Sequence, residues 1–157
     1  LEEDSTILDP FMGPAGLAIE AGHLGYNVIG IERDEKIHEG AKTNIKTQEI
    51  EDKVSTFQAD SRNMNELDWW DDVERINGIV TDPPFGRSAP LMGEDPSDLL
   101  KEVIAIASEK MERGSPLVMD TSNETNLRSI TDFRLESVYS FKVHKSLTRY
   151  IGKLIKK

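Results

Sequence analysis

Residues 82–85 read Asp-Pro-Pro-Phe and follow directly on a short apolar run, Asn77-Gly78-Ile79-Val80-Thr81. Two consecutive prolines fix the backbone and have no N–H to donate, so they present carbonyl oxygens rigidly. An acid before them and an aromatic ring after them make a slot for a flat ring that carries an amino group. Phe85 would stack on the ring, while Asp82 and the Pro83 carbonyl would accept from the amine and Pro84 would hold the turn. A nucleobase amine is a weak nucleophile because its lone pair is conjugated into the ring. Two fixed acceptors on its hydrogens localise that lone pair, so in-line attack on an electrophilic carbon needs little from a strong base. Asp-Pro-Pro is also an ordinary turn, and its neighbours decide between the two readings.

Three further acids sit where apolar runs end. The first opens the stretch Asp9-Pro10-Phe11-Met12-Gly13-Pro14-Ala15-Gly16, whose glycines let the backbone approach a ligand and enter a helix. It lacks the third glycine of the dinucleotide fingerprint. Asp9 stands where a phosphate binder would want no acid, and it suits a ligand bearing an ammonium group or donors. Glu32 follows roughly twenty residues on, the place from which an acid accepts from both ribose hydroxyls. Arg33 beside it is a stacking plane or a solvated side chain, and Asp34 a second acceptor or the N-cap of the next helix. Asp60, with Ser61 next, suits an adenine amino group. Together the three acids describe an adenosine-bearing ligand without phosphates. S-adenosylmethionine fits that description and NAD fits it poorly.

Such residues work only if placed at the carboxyl ends of parallel strands, where open α/β sheets bind ligands. The chain supplies them. Buried strands are expected at 6–9, 27–31, 54–58, 77–81 and 116–119, with helices at 17–24, 35–48, 97–110 and 123–130. The runs 135–143 and 147–155 have no helix between them and read as an antiparallel pair. This is a doubly wound sheet with antiparallel strands added at one edge. Residues 86–96 form the one long loop. Trp69 and Trp70 are expected to give one packed and one half-exposed ring ahead of the fourth strand.

At 157 residues, 37 % hydrophobic and 31 % charged, the chain is one globular domain. It contains no cysteine, so disulfides and thiolate metal sites are excluded and a reducing cytoplasm is the expected home. No apolar run is long enough for a membrane span, and no leader is apparent. His144 has no companions for a metal site, so no metal is expected. The first residue is Leu1, and the chain reads as the C-terminal piece of a longer protein. The net charge of −10 argues against a polyanionic partner, but residues 142–157 hold six Lys or Arg and no acid, which leaves −16 on the remainder. That basic end is either a local phosphate contact or a solubilising tail.

The Asp9–Gly16 stretch resembles motif I of class I methyltransferases, and Asp82–Phe85 their amino-methylating motif IV. More narrowly, Thr81-Asp82-Pro83-Pro84-Phe85-Gly86-Arg87-Ser88 and His144-Lys145-Ser146-Leu147-Thr148-Arg149 resemble the archaeal tRNA guanosine-10 N2-methyltransferases. The resemblance implies a mostly parallel seven-stranded sheet of order 3-2-1-4-5-7-6 with strand 7 antiparallel. It implies S-adenosylmethionine held by Asp9, Gly13 and Gly16 at its methionine part, Glu32 at the ribose, and Asp60 with Ser61 at the adenine, with Pro10 and Arg33 as further cofactor-binding residues. Gly86, Arg87, His144, Lys145 and Arg149 become substrate contacts, with surface charge as the alternative for the basic ones. The partner is tRNA, bound mainly through an N-terminal THUMP region outside this chain, and there is room for a small activating protein. Met12 and Pro14 depart from the small or thiol residues frequent in the motif, and Phe85 replaces the commoner Tyr. Adenine N6 in DNA or RNA and guanine N2 in ribosomal RNA are alternative acceptors. An inactive cofactor-binding subunit is a further alternative, against which the intact loop stands.

Overall fold

A computed structural model of the protein describes residues 1–84, 96–145 and 147–157. Seven strands form one sheet, β1 (Thr6–Asp9), β2 (Asn27–Glu32), β3 (Val54–Gln58), β4 (Gly78–Thr81), β5 (Pro116–Thr121), β6 (Phe133–His144) and β7 (Leu147–Lys156). Their order is β3-β2-β1-β4-β5-β7-β6. The first five are parallel, β7 runs antiparallel to β5, and β6 pairs antiparallel with β7. The helices are α1 (Gly16–His23), α2 (Glu35–Thr47), α3 (Asp68–Asp72), α4 (Pro96–Ser108) and α5 (Glu124–Arg128). A 3₁₀ turn at Ser61–Glu66 leads into α3, and neither is expected from periodicity. Both are too short to show a period of 3.6.

The helices bury the faces their patterns foretell. In α4, Leu100, Val103, Ile104 and Ala107 are all within 1 % of full burial, the i, i+3, i+4, i+7 stripe of a core-facing helix. Asp34 caps α2, its side chain accepting from Ile37 N at 3.0 Å, so the cap reading of that residue holds. One apolar cluster joins Leu8, Ile79, Leu117 and Leu154 to the α4 stripe; a second joins Ile7, Val28 and Val54 to α1 and α2. Each fully buried aliphatic side chain contributes about 1.5–3 kcal/mol. Trp70 is buried, and the half-buried Trp69 stacks on Phe57 with ring centres 4.2 Å apart.

Two glycines are required by close approach. A Cβ on Gly30 would lie 2.2 Å from Met12 Sδ, and one on Gly152 would lie 2.6 Å from Leu127 Cδ2. The first lets Met12 fold over β2 beneath the first turn. The second lets α5 settle on β7.

The hairpin has a directional consequence. Because β6 runs parallel to β1–β5, its end at His144 lies on the same side as their carboxyl ends. β5 stops at Thr121 opposite Tyr150, and Tyr150 pairs with Ser140. Residues 141–145 and 147–149 therefore project beyond the end of β5.

Candidate active site

The carboxyl ends of β1, β2 and β3 carry Asp9, Glu32 and Asp60, each tied to a backbone N–H two residues on. Asp9 is 1 % exposed. Its Oδ1 accepts from Phe11 N at 3.2 Å and from the Thr81 hydroxyl at 2.8 Å. Burial pushes its carboxyl up to about 7, against the two hydrogen bonds, with Asp82 and Glu32 adding smaller upward pushes. Glu32 accepts from Asp34 N at 2.7 Å and, across the turn, from Gly13 N at 3.0 Å. Gly13 has φ +55° and Ala15 φ 73°, so the turn between β1 and α1 is left-handed at two points. A Cβ at Gly13 or Gly16 would meet nothing within 4 Å, so this backbone borders open space. That is the cradle a ligand's polar end requires.

Asp60 is differently employed. It caps the 3₁₀ turn through Arg62 N at 3.1 Å and takes Arg62 Nε at 3.0 Å and Nη2 at 2.6 Å. The Arg62 guanidinium holds its carboxyl below the usual carboxylate range, with Arg33 at 4.0 Å assisting. Arg33 is half-exposed at 54 %. Ser61 is buried, and its hydroxyl donates to the Pro10 carbonyl, which ties the β3 turn to the β1 turn.

On the other side of the sheet's midline, Asp82 leaves β4 with its side chain 52 % exposed, Pro83 is buried and Pro84 is half-buried. Asp82 Oδ1 accepts from Arg149 Nη2 of β7. The same guanidinium donates through Nε to Asp120 Oδ2 at 2.8 Å. Asp82 and Asp120 line a cavity of about 250 Å³ with Leu17, Val80, Val118 and Ile151. His144 and Lys145 stand exposed at the end of the hairpin. Phe85, Gly86 and Arg87 lie outside the described residues, as do Ser88 and Ser146 of the two narrower motifs.

The RMKL-like methyltransferase domain family (UPF0020) matches residues 1–151, almost the whole chain. The chain belongs to that family. Among relatives of this methyltransferase domain is the tRNA (guanine(10)-N2)-dimethyltransferase of Methanothermobacter thermautotrophicus, 36 % identical over 147 residues that make up 92 % of this chain. Another, of the same name from Methanocaldococcus jannaschii, is 30 % identical over 152 residues, 96 % of this chain. The chain spans 42 % of the first relative's length and 41 % of the second's. The crystal structure of TrmN from Thermus thermophilus superposes with a TM-score of 0.81 at 19 % identity, over 99 % of this chain and 45 % of that one. The structure of NSun6 from Pyrococcus horikoshii does so with a TM-score of 0.76 at 22 % identity, over 98 % and 48 %. Both show the fold.

In this methyltransferase domain the geometry adds three residues to those named from sequence. Thr81 links the β1 and β4 ends, Arg62 occupies Asp60, and Asp120 anchors Arg149. Asp120 carried a legible signal, an acid at the end of an apolar strand next to β4. It is hidden if that strand is stopped at Met119. Arg149 is the residue whose surroundings differ most from expectation: its guanidinium is engaged by two carboxylates.

Proposed function

We propose that this domain transfers a methyl group from S-adenosylmethionine to the exocyclic N2 amino group of a guanosine in tRNA. The observation that carries the reading is the Thr81–Asp9 hydrogen bond at 2.8 Å. It joins the last residue of β4 to the last residue of β1, so the Asp-Pro-Pro turn and the glycine-bordered turn start from one fixed point. An acceptor-rich slot and a phosphate-free adenosine site thereby share a wall.

S-adenosylmethionine supplies an electrophilic methyl group on a sulfonium. Asp9, Pro10, Gly13 and Gly16 border its methionine end, Glu32 takes the ribose hydroxyls, and Asp60 with Ser61 receives the adenine. Glu32 suits its role because each oxygen accepts one backbone N–H and retains a lone pair. Asp82 and the Pro83 carbonyl accept from the target amine and hold its nitrogen toward the methyl group. Phe85 supplies the stacking face. The relatives' names support guanine N2 in tRNA over other amines. Their greater length supports a separate region of the full protein as the main tRNA-binding part, with the exposed Lys145 and His144 as local contacts. Absence of cysteine supports a cytoplasmic setting.

Mass spectrometry of nucleosides from tRNA, treated with the full natural chain and isotopically labelled cofactor, tests this. Labelled N2-methylguanosine or its dimethyl form is expected. Label in N6-methyladenosine, or in no nucleoside, would overturn the acceptor assignment.

A further inference from the structure

Arg149 touches acids from two other strands. Its Nη2 donates to Asp82 Oδ1 and lies 2.8 Å from Asp120 Oδ2, which also takes its Nε. Both contacts with Asp120, the Nε hydrogen bond and the Nη2 ion pair, fall on one oxygen. The other, Oδ1, is buried without a hydrogen-bond partner among the described residues. A phosphate contact would hold its guanidinium out toward solvent. Here the Arg149 side chain is 23 % exposed and Asp120 is 20 % exposed; only Asp82, at 52 %, opens outward.

We infer that Arg149, anchored by Asp120, is a positioning residue: it holds Asp82 Oδ1 so that Oδ2 is the oxygen presented to the target amine. The inference rests on the amine-transfer reading above. A carboxylate at the tip of a turn rotates freely about its last torsion, which is broad for Asp. A guanidinium carries its donors in a planar fork, so the Nε hydrogen bond to Asp120 fixes the direction in which Nη2 meets Asp82. An ammonium is a point charge and leaves that direction free. Asp120 is what keeps Arg149 from turning outward. With its buried Oδ1 already unsatisfied, Asp120 is a half-buried carboxylate whose charge would lose its compensation if the cation left. β7 thus contributes to a turn 67 residues earlier in the chain.

Steady-state tRNA methylation by the full natural chain, with Arg149→Lys, Arg149→Ala and Asp120→Asn variants, tests the assignment; calorimetry gives cofactor affinity. We expect kcat to fall about 10-fold in Arg149→Lys and Asp120→Asn and about 100-fold in Arg149→Ala, the scale of losing alignment at a reacting centre. The KM for tRNA and the cofactor affinity should stay within about 2-fold in all three, since alignment enters kcat rather than binding. A raised KM with unchanged kcat would make Arg149 a substrate contact and overturn the proposal. Full activity of Arg149→Lys would do the same, because charge alone would then suffice. If Arg149→Ala melts early, the two milder variants decide. A wild-type protein that methylates no guanosine would break the underlying reading instead, a result no ratio among variants imitates.

Discussion

The two sides of the sheet fix their acids by opposite means. On β1–β3, Asp9, Glu32 and Asp60 each bond a backbone N–H two residues further on, so the local turn sets the carboxylate. On β4–β7, Asp82 and Asp120 bond no such neighbour among the described residues. They are set by Arg149, 67 and 29 residues away. The first arrangement forms as soon as a strand and its turn exist. The second exists only after β5 and β7 have paired. The β1–β3 acids are therefore held in part by their own turns, with long-range bonds from Thr81 to Asp9 and from Gly13 to Glu32 added, whereas the β4–β7 acids depend wholly on tertiary assembly.

The largest expected effect separates the two sides directly. Asp82→Ala should lower methyl transfer about 10²–10³-fold, the range for removing one group aimed at the reacting centre, while calorimetric affinity for S-adenosylmethionine stays at the wild-type level. Loss of both together would mean that the sides are not separable. Near-normal turnover would remove Asp82 from the mechanism.

The next effect is on stability. Asp9 has its carboxyl raised from 3.8 to about 7 in the folded protein. Below about pH 4 it is protonated folded or unfolded and adds no pH dependence. Between about 4 and 7 the folded state holds a proton that the unfolded state releases, so stability falls as pH rises, and above 7 the loss is complete. Asp9→Asn should flatten that slope in urea unfolding measured across pH 4–8. An unchanged slope would place the titration elsewhere.

The smallest effect belongs to Asp60. Its carboxylate is already matched by Arg62, so Asp60→Ala should weaken cofactor binding only several-fold, about 1 kcal/mol. The lost cap on the 3₁₀ turn should cost about 1 kcal/mol in unfolding. Unchanged affinity would remove Asp60 from the adenine site, and a loss of a hundredfold would mean that Arg62 yields it to the ligand.

This contrast also explains what could be read from sequence. The strand ends at Asp9, Glu32 and Asp82 were legible because a buried parallel strand is a near-continuous apolar run that a polar residue terminates. The terminal hairpin was legible because no helical period separates its runs. The Asp120–Arg149–Asp82 chain was not legible, because pairing register brings it together and no local spacing encodes register. Arg149 was named for its charge and its motif, but its partners come from β5 lying beside β7. The Ser61–Glu66 turn and α3 were missed because a single turn has no periodicity to detect.

Met12 and Gly30 carry a consequence for divergence. With Met12 Sδ standing 2.2 Å from where a Cβ on Gly30 would lie, a side chain at residue 30 needs the thioether to shift or to be replaced. A lineage in which residue 12 is small gains room for a side chain at residue 30. The order of replacement along a line of descent is thus biased by one thioether under the turn, with a smaller residue 12 opening the way for a side chain at residue 30.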